Sequence, residues 1–183
     1  MKDLLKPVIV LTVICIVASG LLGFTYGQTK PLIDAAEKKA SDEAMAEVVP
    51  GSGAFTELSG GGIDELMAVQ KETKVGLVLA AKDENGQGYA FKVQDKGFGG
   101  AYTVMVGIGP DGKITGAKLM DNSETPGLGS KTGAADFTGR FTGVDASGLE
   151  GVQTITGATI SSKAFKRCVD TAFQAFEAVG EGA

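Results

Sequence analysis

Histidine and tryptophan are missing from this 183-residue chain, and cysteine occurs only twice. Without histidine there is no Ser-His-Asp triad, no imidazole acid–base pair and no histidine metal site. The cysteines are Cys15, inside an apolar run, and Cys168, in a segment of helical pattern. They form no CxxC motif and no disulfide framework. No catalytic or metal-ligating set is therefore expected on the chain itself. If it carries electrons, the redox group must be brought in. Basic residues are also in deficit, 17 against 22 acidic, for a net charge of −5. No basic stripe interleaved with aromatics occurs, so nucleic acid is not an expected partner.

Long apolar runs are present once. Pro7 to Phe24 reads PVIVLTVICIVASGLLGF without a charge. With its apolar flanks, residues 4–27 reach the length a helix needs to cross a bilayer. A cleaved signal peptide is the alternative. Val17-Ala18-Ser19 matches a cleavage site only loosely and the apolar run continues past it, so an uncleaved anchor over residues 1–29 is expected. Lys2 and Lys6 precede the span. A short basic tail stays in the cytoplasm, which would put the large domain outside.

Pro31 to Val49 is rich in Ala, Glu and Lys behind a proline, the pattern of a juxtamembrane helix within a 30–50 connecting segment. Residues 51–183 are expected to form the folded domain. From Ala54 to about Leu119 short apolar and β-branched runs alternate with turn signals. Strands are expected at Leu66–Val69, Val75–Ala81, Gly88–Val93, Tyr102–Ile108 and Lys113–Met120. Asp83-Glu84-Asn85-Gly86 and Pro110-Asp111-Gly112 are the turns. Such a succession is an antiparallel meander. Ile114, Ala117 and Leu119 are the inward candidates of the last strand. Asp121–Gly129 reads as a loop, and Ala134–Phe141 as a short helix or turn. Ile160–Val179 is an amphipathic helix whose buried stripe is Ala164, Phe165, Cys168, Val169, Ala172, Phe173 and Phe176. The fold class is therefore α+β: one N-terminal transmembrane helix, then a domain with an antiparallel sheet and a C-terminal helix.

Three segments are candidates for chemistry. Thr156-Gly157-Ala158-Thr159 precedes the last helix, where unpaired N–H groups and the positive dipole end favour a phosphate. Helix capping by Ser and Thr is the competing reading of the same residues. Lys96-Gly97-Phe98-Gly99-Gly100 is a bulged turn or a close-approach loop; no helix follows it, so it is no nucleotide loop. Glu124-Thr125-Pro126-Gly127-Leu128-Gly129 is a surface loop, or a flat wall for a planar ring.

In their order along the chain these segments, behind an N-terminal anchor, resemble the FMN-binding domain of the G subunit of the Rnf electron-transport complex. More distantly they resemble the C subunit of the Na+-pumping NADH:quinone reductase. The resemblance covers nearly the whole chain. It implies FMN joined by a flavin transferase, through a phosphoester, to the last Thr of the Thr-Gly-Ala-Thr motif, which is Thr159. The family usually carries Asp three residues before the motif, where this chain has Gln153. Thr156, Gly157, Ala158, Glu124, Thr125, Gly127, Leu128 and Lys131 are the expected surroundings of the flavin, with Lys131 a candidate counter-charge.

The implied function is electron transfer within a membrane-bound, ion-translocating ferredoxin:NAD+ oxidoreductase, in the cytoplasmic membrane of a bacterium with the domain outside. The partners would be other membrane and redox subunits. No complete active site is expected on this chain alone. Two alternatives stand beside this reading. One is an anchored flavinylated domain feeding another extracytoplasmic reductase. The other is a non-redox anchored binding module.

Overall fold

The computed structural model describes residues 2–58, 63, 64, 67 and 75–180. The chain divides into two compact units, residues 1–41 and 42–183.

The first unit is helical. Helix α1 spans Lys2–Val48 and is long and apolar enough over its N-terminal part to cross a membrane. Every large apolar side chain from Val8 to Phe24 is exposed. A helix apolar on all sides and exposed along this stretch suits hydrocarbon as its surroundings. Pro31 was expected to open a new helix, but it lies inside α1. Proline removes one N–H and leaves the carbonyl four residues back unpaired; a single lost bond does not end a helix when the residues around it are good formers. Upstream, Thr29 donates to the Thr25 carbonyl at 2.7 Å and Thr25 to that of Leu21 at 2.8 Å, so both hydroxyls are satisfied within the helix.

The second unit is built on an antiparallel sheet. Its strands are β1 (Phe55–Glu57), β2 (Gly76–Asp83), β3 (Tyr89–Lys96), β4 (Ala101–Ile108) and β5 (Ile114–Asn122), in the order β1-β2-β3-β4-β5. The expected meander is there. Of the strand expected over Leu66–Val69, Met67 is helical, and Leu66, Ala68 and Val69 lie outside the described residues. After β5 come a 3-10 turn at Gly129–Gly133, the short helix α2 (Ala135–Thr138), a second 3-10 turn at Leu149–Gly151 and the long helix α3 (Thr159–Gly180).

Alternation along the strands gives the sheet two buried faces. One face carries Phe91, Val93, Tyr102, Val104, Val106 and Ile108, and packs against Phe165, Cys168, Val169, Ala172 and Phe173 of α3. Phe165 is fully buried, with Phe141 at 4.8 Å, Phe137 at 5.4 Å and Tyr102 at 6.4 Å between ring centroids. Truncating such a residue costs about 3–5 kcal/mol. The opposite face carries Ala81, Ala90 and Met105 and is covered by Ala44, Met45, Val48 and Val49.

Ile114 and Ala117 share a face despite their odd spacing because Thr115 is the extra residue of a bulge. Ile108 pairs with Ile114 and Gly107 with Gly116. The bulged Thr115 donates its hydroxyl to the Val48 carbonyl at 2.5 Å. Gly107 leaves the space for that carbonyl, since a Cβ there would stand 2.2 Å from it.

Candidate functional site

Helix α3 begins where the sequence motif ends. Ala158 N–H donates to the Ile155 carbonyl at 3.0 Å, closing a turn over Thr156 and Gly157. Gly157 has φ +83°, a conformation that costs glycine little and a β-carbon much. Ser162 N–H donates to the Ala158 carbonyl at 2.9 Å, the first bond of the helical ladder. Ahead of it, the N–H groups of Thr159, Ile160 and Ser161 have no place in that ladder. The Thr159 side chain is exposed beside them.

Facing this helix start is a turn with the residues its geometry asks for. Thr125-Pro126-Gly127-Leu128 has proline at the second position and glycine, at φ +78°, at the third; Leu128 N–H closes it onto the Thr125 carbonyl at 3.1 Å. Ser130 Oγ accepts from Gly127 N–H at 2.9 Å. The third component is the β3–β4 connection, where Gly97 N–H donates to the Gly100 carbonyl at 2.8 Å and Phe98 projects from the tip.

Together these three segments enclose a pocket of about 340 Å³ lined by Phe98, Glu124, Thr125, Leu128, Gly129 and the run Gly157 to Ser161. That volume lies in the range of small-molecule sites. Its rim holds large apolar side chains that nothing covers: Phe98 is 68% exposed, Ile160 53% and Leu128 51%. Among the described residues Glu124 is the only charged one in the lining, and it is buried. Its Oε1 accepts from Phe98 N–H at 2.7 Å and Gly99 N–H at 3.4 Å, and its Oε2 accepts from the Ser161 hydroxyl at 2.8 Å.

Two further ties hold the pocket to the core. Thr132 donates to the Gly129 carbonyl at 2.7 Å, which leaves the buried Tyr102 hydroxyl to donate to Thr132. Burial, first of all, pushes the Tyr102 hydroxyl well above the usual phenol range, and the nearby Glu124 carboxylate acts the same way. Arg167 of α3 pairs with the buried Asp95 of β3, Nε to Oδ2 at 2.7 Å. Cys168 is fully buried, and burial pushes its thiol up as well, so it is inert as a nucleophile.

Six of the nine residues singled out from the sequence line the pocket: Glu124, Thr125, Leu128, Gly157, Ala158 and Thr159. Thr156 and Gly127 sit one residue outside it, in the two turns. Lys131 is exposed on the 3-10 turn that follows and does not reach the lining. Gln153 is exposed, with its carbonyl accepting from Arg140 at 3.0 Å. The additional lining residues are Phe98, Gly129, Ile160 and Ser161. Among the described residues no group of acidic or cysteine side chains is arranged to hold a metal ion.

The donor set suits a phosphate ester with a planar, largely apolar head. Free N–H groups at a helix start and a threonine hydroxyl stand at one end. Uncovered Phe98, Leu128 and Ile160 offer flat apolar contact beside them. FMN has that chemistry, and the residues present fit it.

Comparison with known proteins points the same way. Residues 97–174 match the FMN-binding domain family. The G subunit of the ion-translocating oxidoreductase complex of Methanosarcina acetivorans is 32% identical, covering 89% of this chain and 89% of its own. The G subunit of the Na(+)-translocating ferredoxin:NAD(+) oxidoreductase complex of Acetobacterium woodii is 30% identical over 96% of this chain and 93% of its own. Among solved structures, the C subunit of the Na(+)-translocating NADH-quinone reductase of Parabacteroides distasonis superposes with a TM-score of 0.52 at 16% identity, over 78% of this chain and 90% of that one. The last is a likeness of fold.

Proposed function

The chain belongs to the G-subunit family of ion-translocating oxidoreductase complexes, and on that premise we propose that it is the electron-transfer subunit of a membrane-bound ferredoxin:NAD+ oxidoreductase, carrying FMN esterified to Thr159. The observation that carries this reading is the exposed Thr159 hydroxyl at the first residue of α3, on the wall of the pocket that the family's motifs enclose. FMN, when bound, supplies electron transfer that no side chain of this protein can.

The chain's own residues do the rest. Thr159 Oγ1 is the attachment atom, and the N–H groups of Thr159, Ile160 and Ser161 meet the phosphate's charge at the positive end of the helix. The turn of Thr156 and Gly157 with the small Ala158 keeps the approach clear. Thr125 and Leu128 line the opposing wall with Glu124, Gly127 shapes the turn that presents them, and Lys131 adds a positive charge on the turn beyond. Phe98 and Leu128 would give the head group apolar cover, and the open mouth would leave part of it accessible, as an electron carrier between partners requires.

A flavin transferase serves as the maturation partner and other subunits of the complex as the working ones. Residues 1–29 act as the anchor, 30–50 as the connecting segment and 51–183 as the FMN-binding domain. Lys2 and Lys6 ahead of the span favour an inside N-terminus and a domain on the outer face of the membrane.

The test is co-expression of the full chain with a flavin transferase. Flavin fluorescence should survive denaturing electrophoresis, and Thr159→Ala should abolish it while Thr156→Ala leaves it. A dark wild-type band, or a bright Thr159→Ala band, overturns the assignment. Co-purification with multi-span membrane subunits checks the complex.

A further inference from the structure

Among the described residues Glu124 is the pocket's only charged lining residue, and both its oxygens are engaged by the protein. Oε1 is taken by the N–H groups of Phe98 and Gly99, and Oε2 by the hydroxyl of Ser161. Phe98 stands on one lip of the pocket. Ser161 lies two residues beyond Thr159 on the other. One carboxylate thus spans both lips, across 26 and 37 residues of sequence. Its own backbone is fixed in turn, since Glu124 N–H donates to Asn122 Oδ1 at 3.1 Å.

The surrounding glycines are there to admit it. A Cβ at Gly97 would stand 1.9 Å from Oε1, and one at Gly129 would stand 2.1 Å from Oε2. Neither glycine has a positive φ, so what these positions need is room and not conformational freedom. A third glycine, Gly99, lets the hairpin tip close down on the neighbouring Ser123 carbonyl, 1.9 Å from where its Cβ would be.

Other contacts already join the same elements. Arg167 with Asp95 already fastens α3 to β3, and Tyr102 with Thr132 already fastens the Gly129 turn to β4. What Glu124 adds is a fixed spacing between the Phe98 lip and the start of α3. A single ester bond leaves a flexible tether, so attachment at Thr159 does not by itself orient a ring. The lips must do that.

We propose that Glu124 is a positioning residue that clamps the Phe98 hairpin tip to the first turn of α3 and thereby sets the orientation of the group attached at Thr159. The inference rests on the reading of Thr159 as the attachment site. Glu124 touches no reacting atom; it acts through Phe98 and Ser161.

The experiment uses the full chain, co-expressed with a flavin transferase and purified in detergent, as wild type, E124A, E124Q, S161A and T159A. Three quantities are read: in-gel covalent flavin, visible-region circular dichroism of the attached flavin, and cooperative thermal unfolding. E124A and S161A should keep covalent flavin and cooperative unfolding but lose most of the visible circular dichroism. E124Q should retain most of it, because the amide oxygen still accepts from Phe98 N–H and its nitrogen can donate to a rotated Ser161 hydroxyl. S161A keeps the test decisive if E124A does not fold. Wild-type visible circular dichroism in S161A, or in a folded E124A, overturns the clamp. A dark wild type or a bright T159A overturns instead the attachment reading beneath it, and that signal does not depend on the state of Glu124.

Discussion

Ser161 donates its hydroxyl to Glu124 Oε2 at 2.8 Å, joining the first turn of the C-terminal helix to a loop 37 residues earlier in the chain. The contact brings two of the three motif segments into one site, and the same carboxylate brings in the third through Phe98.

Enlarging the glycines around that carboxylate should be costly. Gly97→Ala or Gly129→Ala forces a methyl group into the space of Glu124, and overpacking of this kind costs about 1–3 kcal/mol. Gly76→Ala is the control, because nothing lies within 4 Å of the added atom. Urea unfolding followed by far-UV circular dichroism measures all three, and equal stabilities would refute the crowding argument.

The exposed rim makes the opposite prediction. Phe98→Ala and Leu128→Ala remove side chains that are already more than half in solvent, so stability should change by less than about 0.5 kcal/mol. The flavin absorption and fluorescence of the loaded protein should shift in both. Spectra identical to wild type would take these two residues out of the site.

Arg167→Ala strands Asp95, whose side chain is only 4% exposed, without its cation. Removing one partner of such a pair costs about 1–3 kcal/mol when the other end is half in water. Asp95→Asn in the Arg167→Ala background should recover part of the loss. A double-mutant cycle gives the coupling directly, and a coupling near zero would mean that the pair holds nothing.

Alkaline pH should destabilise the domain in a way that isolates Tyr102. The folded state keeps a proton that the unfolded chain releases above the ordinary phenol value of 10.0. The native state then binds more protons than the unfolded one, so stability is full below about pH 10 and falls above it. Cys168 adds a loss of the same sign from about pH 9, its ordinary value being 9.0. Tyr102→Phe should flatten the upper part of the curve without removing the cysteine part. Unfolding midpoints in a pH series decide it.

Much of this was legible in the sequence for physical reasons. Turn residues such as Pro110-Asp111-Gly112 and a helical stripe such as Phe165, Cys168, Val169 and Ala172 report local geometry, and local geometry dominated here. The continuity of α1 through Pro31 was not legible, because a proline signals a helix start and a tolerated interior defect with the same letter. Ser161 and Phe98 both stood in candidate segments, one as a hydroxyl at the helix start and the other in the glycine-rich turn, but their common tie to Glu124 spans 26 and 37 residues and has no local signal in either residue. The only local trace was the excess of glycine on either side, at Gly97, Gly99 and Gly129, without turns that demanded all of it.

Helix α3 has two duties at once: it carries Thr159 at its first residue and covers one face of the sheet with Phe165, Val169 and Phe173. An unfolded chain displays the same threonine without the helix start beside it and without the lips across from it. If Thr159 is the attachment site proposed above, the fold is also a checkpoint: a newly made domain would offer that residue beside its helix start and lips only after the core has closed, and loading would follow folding.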